Sequence, residues 1–150
     1  MYKIFFALHL LAAIFAIGPL VHAATTASRG LRTADAGATA SAARTVRLYS
    51  YVSVVVVILG FGLMSADDPD HPGQKVAAFG DLWIWLSVLL WLAAVGLALG
   101  LIVPALTRAT ETLKAGGSVE SLTARVAAGG GVVGLIFAAI VFLMVYQPGS

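Results

Sequence analysis

The side chains most able to carry chemistry in this sequence are three histidines and two internal methionines, Met64 and Met144. His9 and His22 lie in the apolar stretch FFALHLLAAIFAIGPLVHAATTAS, and His71 lies in the acidic segment ADDPDHPGQK. Cysteine is absent, so thiolate metal sites, disulfides and cysteine nucleophiles are excluded. Imidazole and thioether groups together suit a haem iron or Cu(I). Whether these side chains form one binding site depends on which of them the surrounding helices bring together.

The composition indicates that these elements lie in a membrane. Of the 150 residues, 60% are hydrophobic and only 11% are charged, whereas a soluble domain is about half apolar and about a quarter charged. The net charge of +2 is small and the basic residues are not interleaved with aromatic ones, so no nucleic-acid partner is expected. No phosphate-binding loop, zinc-protease helix or serine-nucleophile elbow is present. We therefore predict no catalytic residues and lean against an enzyme.

Four apolar runs are each candidates for a membrane span, which needs roughly 20 such residues. They cover about residues 4–24, 48–64, 82–103 and 131–146. The first run also resembles a secretory signal with a small-residue cleavage site at Val21-His22-Ala23, but we take it as a transmembrane helix. The sequence therefore predicts one all-α domain over residues 1–150, an antiparallel bundle of four transmembrane helices with short connections.

The distribution of charge predicts the orientation of this bundle. Seven of the nine basic residues fall in the first and third connections, 25–47 and 104–130, whereas the second connection, 65–81, carries four aspartates and a single lysine. Connections rich in lysine and arginine lie in the cytoplasm. Both termini and the acidic connection are then expected outside a plasma (inner) membrane.

His9 is expected to face the neighbouring helices, because it shares a helical face with Ala12, Ala13 and Ala16, and an intramembrane polar group avoids lipid. Helix contacts in lipid rely on small residues, and the spacings Gly96-x-x-x-Gly100 and Gly134-x-x-x-Ala138 predict the contact faces of the third and fourth helices. His22 lies thirteen residues beyond His9, about 20 Å along the helix axis, so the two cannot bind one ion.

Under this orientation three potential ligands reach the same outer layer. His9, Met64 and Met144 are accordingly our candidates for cofactor and metal binding, with haem b or copper as the ligand. A structural alternative stays open: His9 could hydrogen-bond a neighbouring helix with no cofactor present, and the methionines could fill gaps or face lipid.

The segment FFALHLLAAIFAIGPLV, with His9 and Gly18, resembles the first helix of a family of small bacterial integral membrane proteins of unknown function. That family is similar to the membrane domain of copper-resistance D (CopD) proteins. The third run with Pro104, and the ending FLMVYQP with Met144 and Pro148, resemble the family's last two helices, although Gln147 stands where the family usually has a basic residue. The resemblance implies a bacterial four-helix membrane protein and no defined reaction.

A second resemblance is to the haem-associated four-helix protoporphyrinogen oxidase of bacteria, whose first helix also bears a histidine like His9. That family has an arginine shortly afterwards, but here no arginine precedes Arg29. We therefore expect an accessory or binding membrane protein that contacts the lipid bilayer and further copies or a larger membrane complex. A haem-dependent oxidoreductase is the alternative. A transporter is a weaker alternative, because proton relays need several ionisable groups within the membrane.

Overall fold

The computed structural model describes residues 2–69 and 73–148 and contains four long helices. We number them α1 (Tyr2–Arg32), α2 (Ala36–Met64), α3 (Leu82–Lys114) and α4 (Glu120–Tyr146). Each is long and apolar enough to cross a bilayer. The described residues contain no strand, only an isolated bridge between Asp67 and Lys75. The predicted all-α class is confirmed, and the chain is a multi-pass membrane protein.

The helices run past the apolar segments and meet at tight connections. Only three residues separate α1 from α2; Ala34 has a left-handed backbone (φ 52°), and the Asp35 carboxylate accepts the N–H of Ala38 at 2.9 Å to cap α2. Gly116 (φ 76°) makes the turn between α3 and α4. The capping position of α4 is Val119, which has no side-chain hydrogen bond.

Two of the helices contain a π-helical segment just before a proline. The segments are Ala13–Ile17 in α1 and Ala98–Ile102 in α3, and Pro19 and Pro104 each follow two residues later. Proline lacks an N–H and its ring crowds the carbonyl four residues earlier. The wider turn changes the hydrogen bonding there, so that the N–H of Val103 donates to Ala98, five residues back. Neither proline ends its helix.

The four helices form a ring in which α1 and α3 each contact both α2 and α4. We call the end formed by connections 33–35 and 115–119 the basic end, and the end formed by segment 65–81 the acidic end. Near the basic end, Gly18–Thr26 of α1 packs against α4, and Val103–Lys114 of α3 packs against α2. Near the acidic end, Tyr2–Ala12 of α1 packs mainly against α2. The antiparallel bundle is as predicted.

Small residues allow the closest approach between helices. Some of the small residues that make these contacts differ from those that the sequence spacing predicted. A Cβ on Gly130 would collide with the backbone carbonyl of Ala24, so α1 and α4 meet backbone to backbone there. A Cβ on Gly96 or Gly100 would have no atom of the described residues within 4 Å. The prediction that they form the contact face of α3 was wrong, and the buried residues Ala94 and Ala98 form it instead.

Most of the apolar side chains face outward. Within the most apolar 18-residue window of each helix, only 11% to 28% of the residues are buried inside the bundle. The outward-facing side chains include Phe15, Leu89 and Leu135, exposed by 70%, 64% and 73%. Such a continuous apolar surface is stable against acyl chains and not against water, which agrees with the membrane assignment.

Candidate functional site around His9

His9 is half-buried in α1 and contacts the backbone of α2. Its Nδ1 lies 3.0 Å from the carbonyl oxygen of Val56. A carbonyl oxygen only accepts, so Nδ1 carries the proton and Nε2 presents a lone pair. No other hydrogen bond to the ring is found within residues 2–69 and 73–148. The imidazole is therefore positioned by one nitrogen and free to act through the other.

Two glycines of α2 make room for the aromatic side chains of α1. A Cβ on Gly60 would lie 3.2 Å from Cε1 of His9, and one on Gly62 would lie 3.1 Å from Cε1 of Phe5. Larger residues at these positions would push the rings outward. The expectation that His9 faces a neighbouring helix is confirmed, and the small residues of α2 explain how the backbone carbonyl of Val56 becomes reachable.

Side chains from α3 approach the same face of α2 that receives His9. Ser53, Gly60 and Met64 are spaced by seven and then four residues and so share a helical face. The indole N–H of Trp91 donates to Oγ of Ser53 at 3.0 Å, and Trp83 packs in a buried cluster with Met64. Gly60, and with it His9, lies between these two contacts along α2.

Trp83 carries an unsatisfied polar atom. The side chain is only 7% exposed, and its indole nitrogen Nε1 is fully buried with no hydrogen-bond partner in the described part of the chain. A buried N–H without an acceptor is costly and uncommon. This indole N–H is thus a donor that a bound group near Met64 could use.

The other two predicted ligands, Met64 and Met144, lie in different surroundings. Met64 is 7% exposed and packs with Ala77, Trp83 and Ile84, whereas Met144 is 39% exposed on α4 and belongs to neither hydrophobic cluster of the described residues. The three-residue set of His9, Met64 and Met144 stays a prediction, although only His9 and Met64 lie along one face of α2. No group of three or more histidine, aspartate or glutamate side chains suited to a metal occurs among the described residues.

His22 lies apart from this face. His22 is exposed on α1, and its backbone carbonyl accepts the hydroxyl of Thr26 at 2.7 Å. His71 lies outside the described residues. Nearby in the acidic connection, Lys75 donates to Asp67 at 2.7 Å, and this hydrogen bond together with the lysine charge lowers the pKa of the Asp67 carboxyl.

The available donors fit an imidazole-ligated ion. A metal-binding histidine commonly donates its second ring N–H to a carboxylate, a backbone carbonyl or water, which holds the ring and its tautomer, and His9 does so to Val56. The thioether of Met64 is a soft ligand that suits Cu(I) and also occurs as an axial haem ligand. The sequence predicted His9 and Met64 as ligands, but it did not point to Trp91 or Ser53. The serine within an apolar run was the available signal.

Comparison of the chain with protein-family models, with curated protein sequences and with solved structures finds no match. The relationship to the CopD-like family is therefore a proposal supported by the residues quoted above. The function has to be derived from the chemistry of the His9 region.

Proposed function

We propose that the chain is a non-enzymatic binding or accessory protein of the bacterial plasma membrane that holds haem or Cu(I) through His9. The observation that carries this proposal is the hydrogen bond from His9 Nδ1 to the carbonyl of Val56 at 3.0 Å. It leaves Nε2 as an unprotonated imidazole nitrogen in an otherwise apolar environment. Neutral imidazole is the commonest protein ligand for a metal ion, and its tautomer is set by such a bond.

The environment of the ring supports ligand binding over a purely structural contact. An interhelical hydrogen bond requires only one polar atom, and serine or threonine would provide it with less polar surface to bury. The second nitrogen is left for another partner, and an ionisable group at this depth is usually functional. When bound, haem or copper would supply redox or electrophilic chemistry, whereas the chain provides an oriented imidazole and a thioether.

Met64 is the second residue that we assign to this site. It shares a face of α2 with Gly60, against which His9 lies, and it is buried beside Trp83. The indole N–H of Trp83, which has no acceptor among the described residues, provides a donor for an oxygen or other acceptor of the ligand. Together these groups supply one nitrogen ligand, one sulfur ligand and one hydrogen-bond donor.

The proposal places the site in the outer leaflet. His9 and Met64 lie toward the acidic end of the bundle, and the arginines of segments 25–47 and 104–130 lie toward the basic end. Since connections rich in arginine and lysine are retained in the cytoplasm, the acidic end and both termini are assigned to the outside. Further copies or other membrane proteins are the expected partners.

The test is to purify the protein from cells supplied with haem precursor and copper and to record its visible spectrum and metal content. His9→Asn is the informative variant, because its amide N–H occupies about the place of Nδ1 and can still donate to Val56, while the ligand nitrogen is lost. We expect His9→Asn to lose the Soret band or the copper and to remain folded. His22→Asn is the matched control and should retain the ligand.

The two ligands give different results. A Soret band establishes haem, and copper at one ion per chain in a colourless protein establishes Cu(I). Wild-type protein with neither, or a His9→Asn variant that binds as much as wild type, would contradict the proposal and leave His9 as an interhelical contact only.

A further inference from the structure

A second polar feature lies far from His9, in a groove between α2 and α3 near the basic end. The groove has a volume of about 410 Å³. Its apolar wall is formed by Leu99, Val103 and Pro104, and Arg47 and Arg108 line its polar part. The groove therefore joins an apolar surface to two positive charges.

The backbone of α3 explains why a groove exists here. Leu99 lies in the π-helical segment Ala98–Ile102, and Pro104 follows it. A π turn accommodates one more residue than an α turn, and single π turns occur frequently at functional sites. Val103 is packed into the bundle, only 5% exposed, whereas Leu99 is half-buried and Pro104 is exposed. The helix thus presents an irregular apolar surface at this level.

The guanidinium groups of the two arginines that line the groove have no partner among the described residues. Arg47 and Arg108 are both exposed, and neither side chain takes part in an ion pair or hydrogen bond within residues 2–69 and 73–148. Arg44 lies one turn before Arg47 on α2 and adds positive charge, and Glu111 lies one turn beyond Arg108. A guanidinium group binds a phosphate oxygen pair with matching geometry. The charge of the groove therefore favours an anion.

We propose that this groove binds one acidic phospholipid of the leaflet next to the basic end. The phosphate lies between Arg47 and Arg108, the hydroxyl of Tyr51 is available to the headgroup, and an acyl chain covers Leu99 and Pro104. Basic pockets between transmembrane helices are known recognition sites for acidic headgroups. Free inorganic phosphate would gain nothing from the apolar wall, so the joined apolar and cationic surfaces favour a lipid. The site does not depend on any ligand of His9.

The experiment measures lipid binding by native mass spectrometry of the full-length protein in detergent. Phosphatidylglycerol is titrated in parallel with phosphatidylcholine of the same acyl chains, and inorganic phosphate is added as a competitor. An arginine near an acidic headgroup contributes about 1 kcal/mol, which corresponds to about fivefold in affinity. We expect Arg47→Gln and Arg108→Gln each to weaken phosphatidylglycerol binding about fivefold. The double variant should bind more weakly than either single variant, but not by the product of the two effects, because both arginines contact one phosphate.

Arg125→Gln is the matched control, since Arg125 is exposed on α4 at the same end of the bundle and does not line the groove. It removes the same charge and should leave the affinity unchanged. Leu99→Trp fills the apolar wall with both arginines intact and should also weaken binding. This variant keeps the test decisive if the double arginine variant fails to fold.

Several results would overturn the assignment. They are equal affinity for phosphatidylglycerol and phosphatidylcholine, an equal loss in Arg125→Gln and Arg47→Gln, unchanged binding in Leu99→Trp, or displacement of the lipid by millimolar inorganic phosphate. The first would mean that the charge of the headgroup is not recognised, and the second that surface charge acts without a site. The last two would mean an anion site that does not recognise lipid.

Discussion

The contact between Gly130 and Ala24 gives the sharpest test of the packing. A Cβ on Gly130 would lie 2.8 Å from the carbonyl carbon of Ala24 and 3.2 Å from Cα of Thr25. These are backbone atoms, so no side-chain rotation can relieve the overlap, and α1 and α4 must move apart. Gly131 is the adjacent residue of the same helix, and a Cβ there would have no atom of the described part of the chain within 4 Å.

The two alanine variants therefore separate packing from helix propensity. Replacing a helical glycine by alanine stabilises by about 1 kcal/mol where space is free. Overpacking costs about 1–3 kcal/mol, and the overlap with backbone puts Gly130→Ala at the upper end, a cost of about 3 kcal/mol. We expect Gly130→Ala to lower the free energy of unfolding by a net of about 2 kcal/mol and Gly131→Ala to raise it slightly.

The assay is reversible unfolding in mixed detergent micelles, followed by circular dichroism. Gly96→Ala is a second control, because its Cβ also meets open space. If Gly130→Ala and Gly131→Ala are equally stable, α1 and α4 do not meet backbone to backbone at this level, and the reasoning fails.

Two further predictions concern the hydrogen bond across α2 and α3 and the orientation of the bundle. A double-mutant cycle of Trp91→Phe and Ser53→Ala should give a coupling energy of about 0.6 kcal/mol, the mean for interhelical hydrogen bonds in a membrane. Zero coupling would show that the hydrogen bond does not form. Trp85→Phe is the control, because the Trp85 indole donates to the carbonyl of Phe79 outside the bundle. Since the chain has no cysteine, Gln74→Cys and Thr33→Cys can be labelled singly on intact cells with an impermeant maleimide. We expect labelling of the first only, and the reverse pattern would invert the orientation.

The sequence by itself determined the number, type and order of the elements. Four apolar runs separated by polar connections leave few alternatives, because backbone polar groups in lipid must be satisfied within each segment. The inward-facing position of His9 was predicted from helical periodicity. These features depend on hydrophobicity and helical periodicity, which are both visible along the chain.

The tertiary structure alone decided which small residues make contacts. Gly96 and Gly100 have the spacing of a contact motif but meet open space, whereas Gly130, within a run of three glycines, meets the backbone of Ala24. Spacing places residues on one face of a helix, but it does not say which face a neighbouring helix will cover. That choice follows from the packing of all four helices together.

The same distinction applies to the candidate site and to the groove. Helical periodicity predicted that His9 faces the bundle. It did not predict contacts between different helices: the acceptor at Val56, the buried indole of Trp83, and the groove that both Arg47 and Arg108 line. Helix lengths, rotations and the π segment ahead of Pro104 set these distances. Contacts of this kind depend on three-dimensional register, which local sequence patterns do not specify.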